Sequence, residues 1–326
     1  MRRASWYFSI TCSLSIGVVA CTQDAVGPVP DSGRSTAAIT GAPADPAIAY
    51  GLQTGSGFRV SYSVGVMNAD GSNQTSLVAS NYAPHPAWSP DGHSIAYHPD
   101  AYGISRIDVS VVNGKPQASA PVVLPIGRES FDIAWSPDPL NDQIAYSEDG
   151  PVGSALGLWL APAKPVTPYV QTRVYQSPPN QRMIWVAWNP QATRIAFIQR
   201  SISSPVDSLF IVDLTASPAP TSTFIRSFKR GVFGLSWSRT SPDRLALEYP
   251  TSTTSSGYQP SVLDLTTNTL SNVPSGGTAK WSPDDSRLVF VSTSRSGSNT
   301  IAVVTLSTGA TVDLASGIEP EWRRNP

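Results

Sequence analysis

From residue 46 onward the apolar positions come in short runs that alternate with polar ones, and Gly, Pro, Asn, Asp and Ser punctuate them. A period of two marks half-buried strands, and the punctuation marks tight turns. The runs fall in fours. In the first complete unit, Pro84–Ser89 and Ser94–His98 predict two strands, Ser105–Val112 a third ending at the turn Asn113-Gly114, and Pro121–Ile126 a fourth. Residues 131–174, 183–228, 232–273 and 277–314 repeat the scheme.

Each unit opens on the same motif. Ala87 to Tyr97 reads A-W-S-P-D-G-H-S-I-A-Y, with Ser89-Pro90-Asp91-Gly92 as a turn between two apolar runs. Pro presets φ and Gly takes up positive φ there, which makes a tight hairpin. Trp135, Trp188, Trp237 and Trp281 head later copies, each followed by an Ile-Ala-Tyr-type run, and Trp322 stands just before the chain ends. The spacings from Trp88 to Trp322 are 47, 53, 49, 44 and 41 residues. That is the length of a four-stranded propeller blade. The two ends complete each other: Ile318–Arg323 is an inner strand with nothing after it, while Pro46–Leu52, Val60–Met67 and Thr75–Ala79 are three strands with no inner one. The expectation is an all-β, six-bladed β-propeller with one-plus-three closure, its six motif Trp buried between blades. Trp159 and Trp185 lie outside the motif and are expected in the core.

The N-terminus reads differently. Met1-Arg2-Arg3 is basic, Ala4–Val19 is apolar but short for a membrane span, and Val18-Val19-Ala20-Cys21 closes the segment. That ending resembles the lipobox of bacterial lipoproteins, in which the Cys is acylated; an ordinary secretory signal is the alternative. Thr22 in place of Asp favours the outer membrane in a two-membrane cell. Residues 22–45, rich in Pro, Ser, Gly, Ala and Thr, read as a flexible tether. The expected organisation is therefore signal peptide 1–20, lipidated Cys21 with tether 21–45, and propeller 46–326.

Composition adds limits. Charged residues are 14%, Pro 30 and Gly 24, and the formal net charge is −1. Removing Arg2 and Arg3 from the 22 basic residues leaves 20 against 23 acidic, net −3. No global field draws nucleic acid. With Cys12 removed as well, no disulfide is possible, so an exported chain must rely on core burial.

Trp-Ser-Pro-Asp-Gly followed by Ile-Ala-Tyr resembles the WD-like repeat of TolB-type six-bladed propellers, also present in propeller domains of prolyl oligopeptidase relatives. The resemblance covers nearly all of residues 46–326 and is closest at Trp88–Gly92, Trp135–Asp138 and Trp281–Asp284. Trp188-Asn189-Pro190-Gln191 and Trp237-Ser238-Arg239-Thr240 depart from it. The matching residues are turns and wedges, so they imply fold more than function. TolB itself carries a further N-terminal domain, where this chain has only the tether.

Candidate chemistry is sparse. No Gly-x-Ser-x-Gly elbow is present, which sets aside a peptidase of that kind. His85 and His98 flank one hairpin; they read as surface or inter-blade histidines, with a metal site the alternative. Asp91, Asp138 and Asp284 read as turn residues bonding their own backbone rather than calcium ligands. No cofactor or metal is expected. The longer connectors, Gln53–Arg59, Glu148–Ala155, Gln199–Asp207, Tyr249–Tyr258 and Ser292–Ser298, share one face with the links into the inner strands. Those links carry Tyr82, Arg128, Glu129, Arg182, Lys229 and Arg230 toward the channel mouth, an excess of cations suited to an anionic partner. The reading is a monomeric, non-enzymatic binding or scaffolding module of the cell envelope, held at the membrane through Cys21, taking a protein segment or anionic ligand. A propeller enzyme (lyase, hydrolase or lactonase) is the alternative.

Overall fold

The computed structural model describes residues 46–55, 60–101, 103–126, 129–148, 156–204, 206–229, 231–250, 258–273, 277–293 and 299–324. Among them all regular structure is β, arranged in six antiparallel sheets. Blade I joins Ile318–Trp322 to Ile48–Thr54, Ser61–Met67 and Thr75–Ser80. Blades II to VI follow in chain order, with inner strands Ala87–Trp88, Ser130–Trp135, Gln181–Trp188, Phe233–Trp237 and Gly277–Trp281.

One register repeats in every blade. Trp88 faces Ile95 and Ala87 faces Ala96; Trp135 faces Ile144, Trp188 faces Ile195, Trp237 faces Leu245 and Trp281 faces Leu288. Blade I has the same pairs across the two chain ends, Trp322 with Ile48 and Glu321 with Ala49. The Arg323 amide then donates to the Ala47 carbonyl at 2.7 Å. The expected closure is therefore a paired ladder, continuous with the other blades.

All six motif Trp are buried. Among the described residues, five of them lie under a guanidinium from the preceding blade: Arg323 over Trp88, Arg106 over Trp135, Arg194 over Trp237, Arg244 over Trp281 and Arg287 over Trp322, at 5.0 to 5.8 Å. Each such Trp adds cation–π attraction to the area it buries. Blade I is packed on both sides. Ile48, Tyr50, Met67 and Trp322 share a core with Val289, Ile301 and Val303 of blade VI. Ala49, Val64 and Val66 share another with Trp88, Ile95, Tyr97 and Ile107 of blade II.

Three expectations need correction. The predicted fourth strand of blade II, Pro121–Ile126, is regular only at Val122–Val123. Asn113 and Gly114, both at positive φ, turn the chain at once into Lys115–Ala118, which takes the edge first. The predicted inner strand Pro84–Ser89 is regular only at Ala87–Trp88, because Pro84 and Pro86 have no N–H for a ladder and the His85 amide goes to Glu319. The connector Gln199–Asp207 is shorter than predicted, since Gln199 and Arg200 pair with Ser208 and Asp207. Residues 56–59, 149–155, 251–257 and 294–298, the middles of the other long connectors, lie outside the described residues.

The turn chemistry follows the sequence closely. The Ser89 hydroxyl donates to Asp91 Oδ1 at 2.5 Å and accepts the Ser94 amide; Ser282 and Asp284 repeat the pattern. Asp138 accepts the Leu140 amide. Gly92 takes φ of 72°, and Ala192 and Asp285 hold the same turn position at 56° and 57°.

Candidate functional site

Counting back from each motif Trp identifies what faces the axis. A strand alternates faces, so the residues one and three before Trp point opposite to it, toward the centre of the ring. One before Trp stand Glu321, Ala87, Ala134, Ala187, Ser236 and Lys280, and all six line one axial cavity. Three before stand Glu319, His85, Asp132, Trp185, Gly234 and Thr278; all but Gly234 line a second cavity, nearer the links. Five of these six have positive φ, from 41° to 63°, Asp132 being the exception. In the inner strands of blades I, IV, V and VI the register shifts at this position, a bulge that re-aims the side chain.

At the link end a charged cluster bridges three blades. Glu319 Oε2 accepts the His85 amide at 2.9 Å, and Glu319 Oε1 lies 2.9 Å from His85 Nε2. Asp132 Oδ1 is 3.7 Å from His85 Nδ1, while its Oδ2 accepts the Val186 amide at 2.8 Å. Burial alone would lower the His85 pKa, but Glu319 and Asp132 outweigh it and raise the imidazole above its ordinary value. Burial likewise opposes ionisation of Glu319, yet His85 holds that carboxyl below its usual range. Asp132 goes the other way, raised by burial despite Lys280 and His85 nearby. Trp185 closes the cluster, with ring centroids 6.0 Å from His85 and 5.4 Å from Phe131.

The carboxylate-to-amide contact recurs between blades. Asp207 Oδ2 accepts the Val232 amide at 2.6 Å and Glu248 Oε2 the Thr278 amide at 2.8 Å. Burial pushes Glu248 up to about 7. His98 sits behind His85, buried, with Nδ1 3.0 Å from the Gly103 carbonyl; burial brings it down to about 4. His85 and His98 thus occupy inter-blade positions. Trp185 is buried, with Nε1 donating to the Val232 carbonyl, and Trp159 is half-buried against Glu148.

At the turn end, Glu321 is paired with Arg239 and lies 3.6 Å from Lys280 Nζ. Burial disfavours the charged Glu321, but Arg239, Lys280 and Arg324 hold its carboxyl below the usual range. The two axial cavities measure about 30 and 20 Å³, room for a few waters at most. Neither has space for an organic substrate.

Of the residues expected at the mouth, Tyr82, Glu129 and Lys229 are exposed in links, and Arg182 is half-buried beside Arg200 on its strand. Arg128, Arg230 and Cys21 lie outside the described residues. The groups the fold demonstrably brings together are instead His85, Asp132 and Glu319 at one end and Arg239, Lys280 and Glu321 at the other. The motif Trp carried their signal, since each lies at a fixed offset from one.

No protein-family model matches the chain, and no curated protein sequence does. Solved structures do. TolB of Acinetobacter baumannii superposes with a TM-score of 0.63 at 18% identity, over 87% of this chain and 68% of that one. A protein assigned as TolB in Agrobacterium tumefaciens gives 0.59 at 16% identity, over 76% and 86%. The fold is thus a TolB-like six-bladed propeller.

Proposed function

We propose that this chain is a non-enzymatic binding propeller of the cell envelope, anchored by an acylated Cys21, that receives a protein segment or anionic ligand on its link face. The observation that carries the reading is the small size of the two axial cavities among the described residues. With cavities of about 20 and 30 Å³ there, a partner of any size meets the protein at its rim. The rim offers exposed Tyr82, Glu129 and Lys229 and half-buried Arg182; Arg128 and Arg230, adjoining Glu129 and Lys229 in sequence, lie outside the described residues. An aromatic among cations suits a segment carrying carboxylates.

An enzyme at the mouth would draw on the cluster of His85, Asp132 and Glu319. His85 Nε2 is already held by Glu319 at 2.9 Å, and the cavity beside the cluster measures only about 20 Å³, too small for an organic substrate. The binding reading is the stronger.

The test is capture from crosslinked envelopes with the wild type and with a rim variant, Arg128→Glu, Lys229→Glu and Arg230→Glu together. The variant should lose the captured partner while its melting temperature stays close to wild type, since surface substitutions cost little. Equal capture by both would remove the rim from the account.

A further inference from the structure

We propose that the turn end of the axis is a binding site for a small monovalent anion, a halide or a carboxylate head, built by Arg239, Lys280 and Arg324. It lies at the opposite end of the ring from the rim and does not rest on the function proposed above.

The site arises from a break in the repeat. Two residues after the motif Trp stand Pro90, Pro137, Pro190 and Pro283 in four blades, but Arg239 and Arg324 in blades V and I. A turn proline stops short of the axis, whereas an arginine reaches it. Both arginines line the cavity whose other wall is the three small residues Ala87, Ala134 and Ala187. Lys280, one before its Trp, lines it too.

The charges there do not balance. Among the described residues Glu321 is the single carboxylate lining the cavity, against three cations. It is paired with Arg239 Nη2 and sits 3.6 Å from Lys280 Nζ, which also donates to the Leu235 carbonyl at 3.2 Å. Arg324 Nη2 donates to the Trp135 carbonyl at 3.4 Å. The Arg239 side chain is only 9% exposed, and its Nε is buried with no hydrogen-bond partner. A buried donor left unmade costs free energy, most of all on a charged group. Burial, and then the charge of Arg239, press the Arg324 pKa well below its ordinary value. One added negative charge in the cavity offsets the excess of cations that line it. At about 30 Å³ the cavity takes a halide or one carboxylate head and excludes a ring or a sugar.

The probe is chloride, read by the excess ³⁵Cl linewidth it acquires on the folded protein, with formate as competitor. Wild type should broaden the line saturably and formate should reverse it. Arg324→Gln, which keeps the Arg239–Glu321 pair, and Arg239→Gln should each cut the excess about twofold or more, because charge-assisted bonds carry the affinity. A circular-dichroism melt of each variant checks that it is folded; if Arg239→Gln is not, Arg324→Gln decides. No saturable broadening in wild type, undiminished broadening in folded Arg324→Gln, or indifference to formate each overturns the site.

Discussion

Glu319 takes both the backbone amide and the imidazole Nε2 of His85, each at 2.9 Å, across 234 residues of chain. The contact ties the C-terminal strand of blade I to the link that enters the inner strand of blade II. It does at the axis what the ladder between Trp322 and Ile48 does within the blade.

Removing that charge should be felt in stability and in its pH dependence. Breaking a buried pair costs about 3–5 kcal/mol, and Glu319→Gln, which keeps an acceptor, should fall at the low end. The His85 pKa is raised, so its contribution is full below the ordinary value of 6.5 and is lost as pH rises through the raised one. The Glu319 pKa is lowered, so its share is present above 4.5 and lost as pH falls through the depressed value. Denaturant melts of wild type against pH should decline on both flanks, and Glu319→Gln should flatten the alkaline one. An unchanged alkaline flank would mean the pair carries no such linkage.

Glu248 shares the sign of His85 and opposes that of Glu319. Burial raises it from its ordinary 4.5 to about 7, so the folded state holds a proton that the unfolded state releases. Stability should fall as pH rises through that window, by about 3 kcal/mol at 1.36 per unit. Glu248→Gln mimics the protonated form and still accepts the Thr278 amide. It should melt above wild type at pH 8 and close to it at pH 4.

Two residues at one turn position should respond oppositely to glycine. Ala192, at φ of 56°, gains nothing from its side chain's strain, and Ala192→Gly should stabilise by about 0.5–1 kcal/mol. Asp285, at 57°, repairs the neighbouring turn that lacks Pro and Asp. It accepts Ser238 Oγ at 2.5 Å and the Arg239 and Thr240 amides at 2.8 and 3.0 Å. Asp285→Gly should therefore destabilise by about 2–3 kcal/mol, charge-assisted bonds being worth about 1.5–3 each. Chemical denaturation of the pair gives both signs in one experiment.

Anchoring is tested on the precursor. If Cys21 is the proposed anchor, Cys21→Ser should abolish incorporation of labelled fatty acid and release the protein from membranes. A wild type that partitions into the aqueous phase of a detergent separation contradicts the anchor.

The fold was legible because the Trp motif is both periodic and local: Trp88 to Tyr97 states a strand, a turn and a second strand in ten residues. Blade II's outer edge was less so, because Val122 and Val123 are apolar yet Asn113-Gly114 diverts the chain first. The axial clusters were missed for a different reason. Asp132, Glu319 and Arg239 sit in unrelated local sequences, and only the closed ring brings them together. Attention to loop charges overlooked the fixed offset from Trp that places a side chain on the axis.

Ring closure underlies everything above, and one melt tests it. Deleting residues 317–326 trims a tail by sequence, and a frayed terminus would tolerate that. Here it removes the inner strand of blade I, buried Trp322, and two of the axial carboxylates, Glu319 and Glu321. Loss of a buried Trp alone costs about 3–5 kcal/mol, against about 5–15 for a whole domain. A Cys21→Ser protein ending at Ser316 should elute as aggregate and show no cooperative melt, its unpaired strand edges open to other chains. A monomer that melts cooperatively at the wild-type temperature would contradict the closed ring.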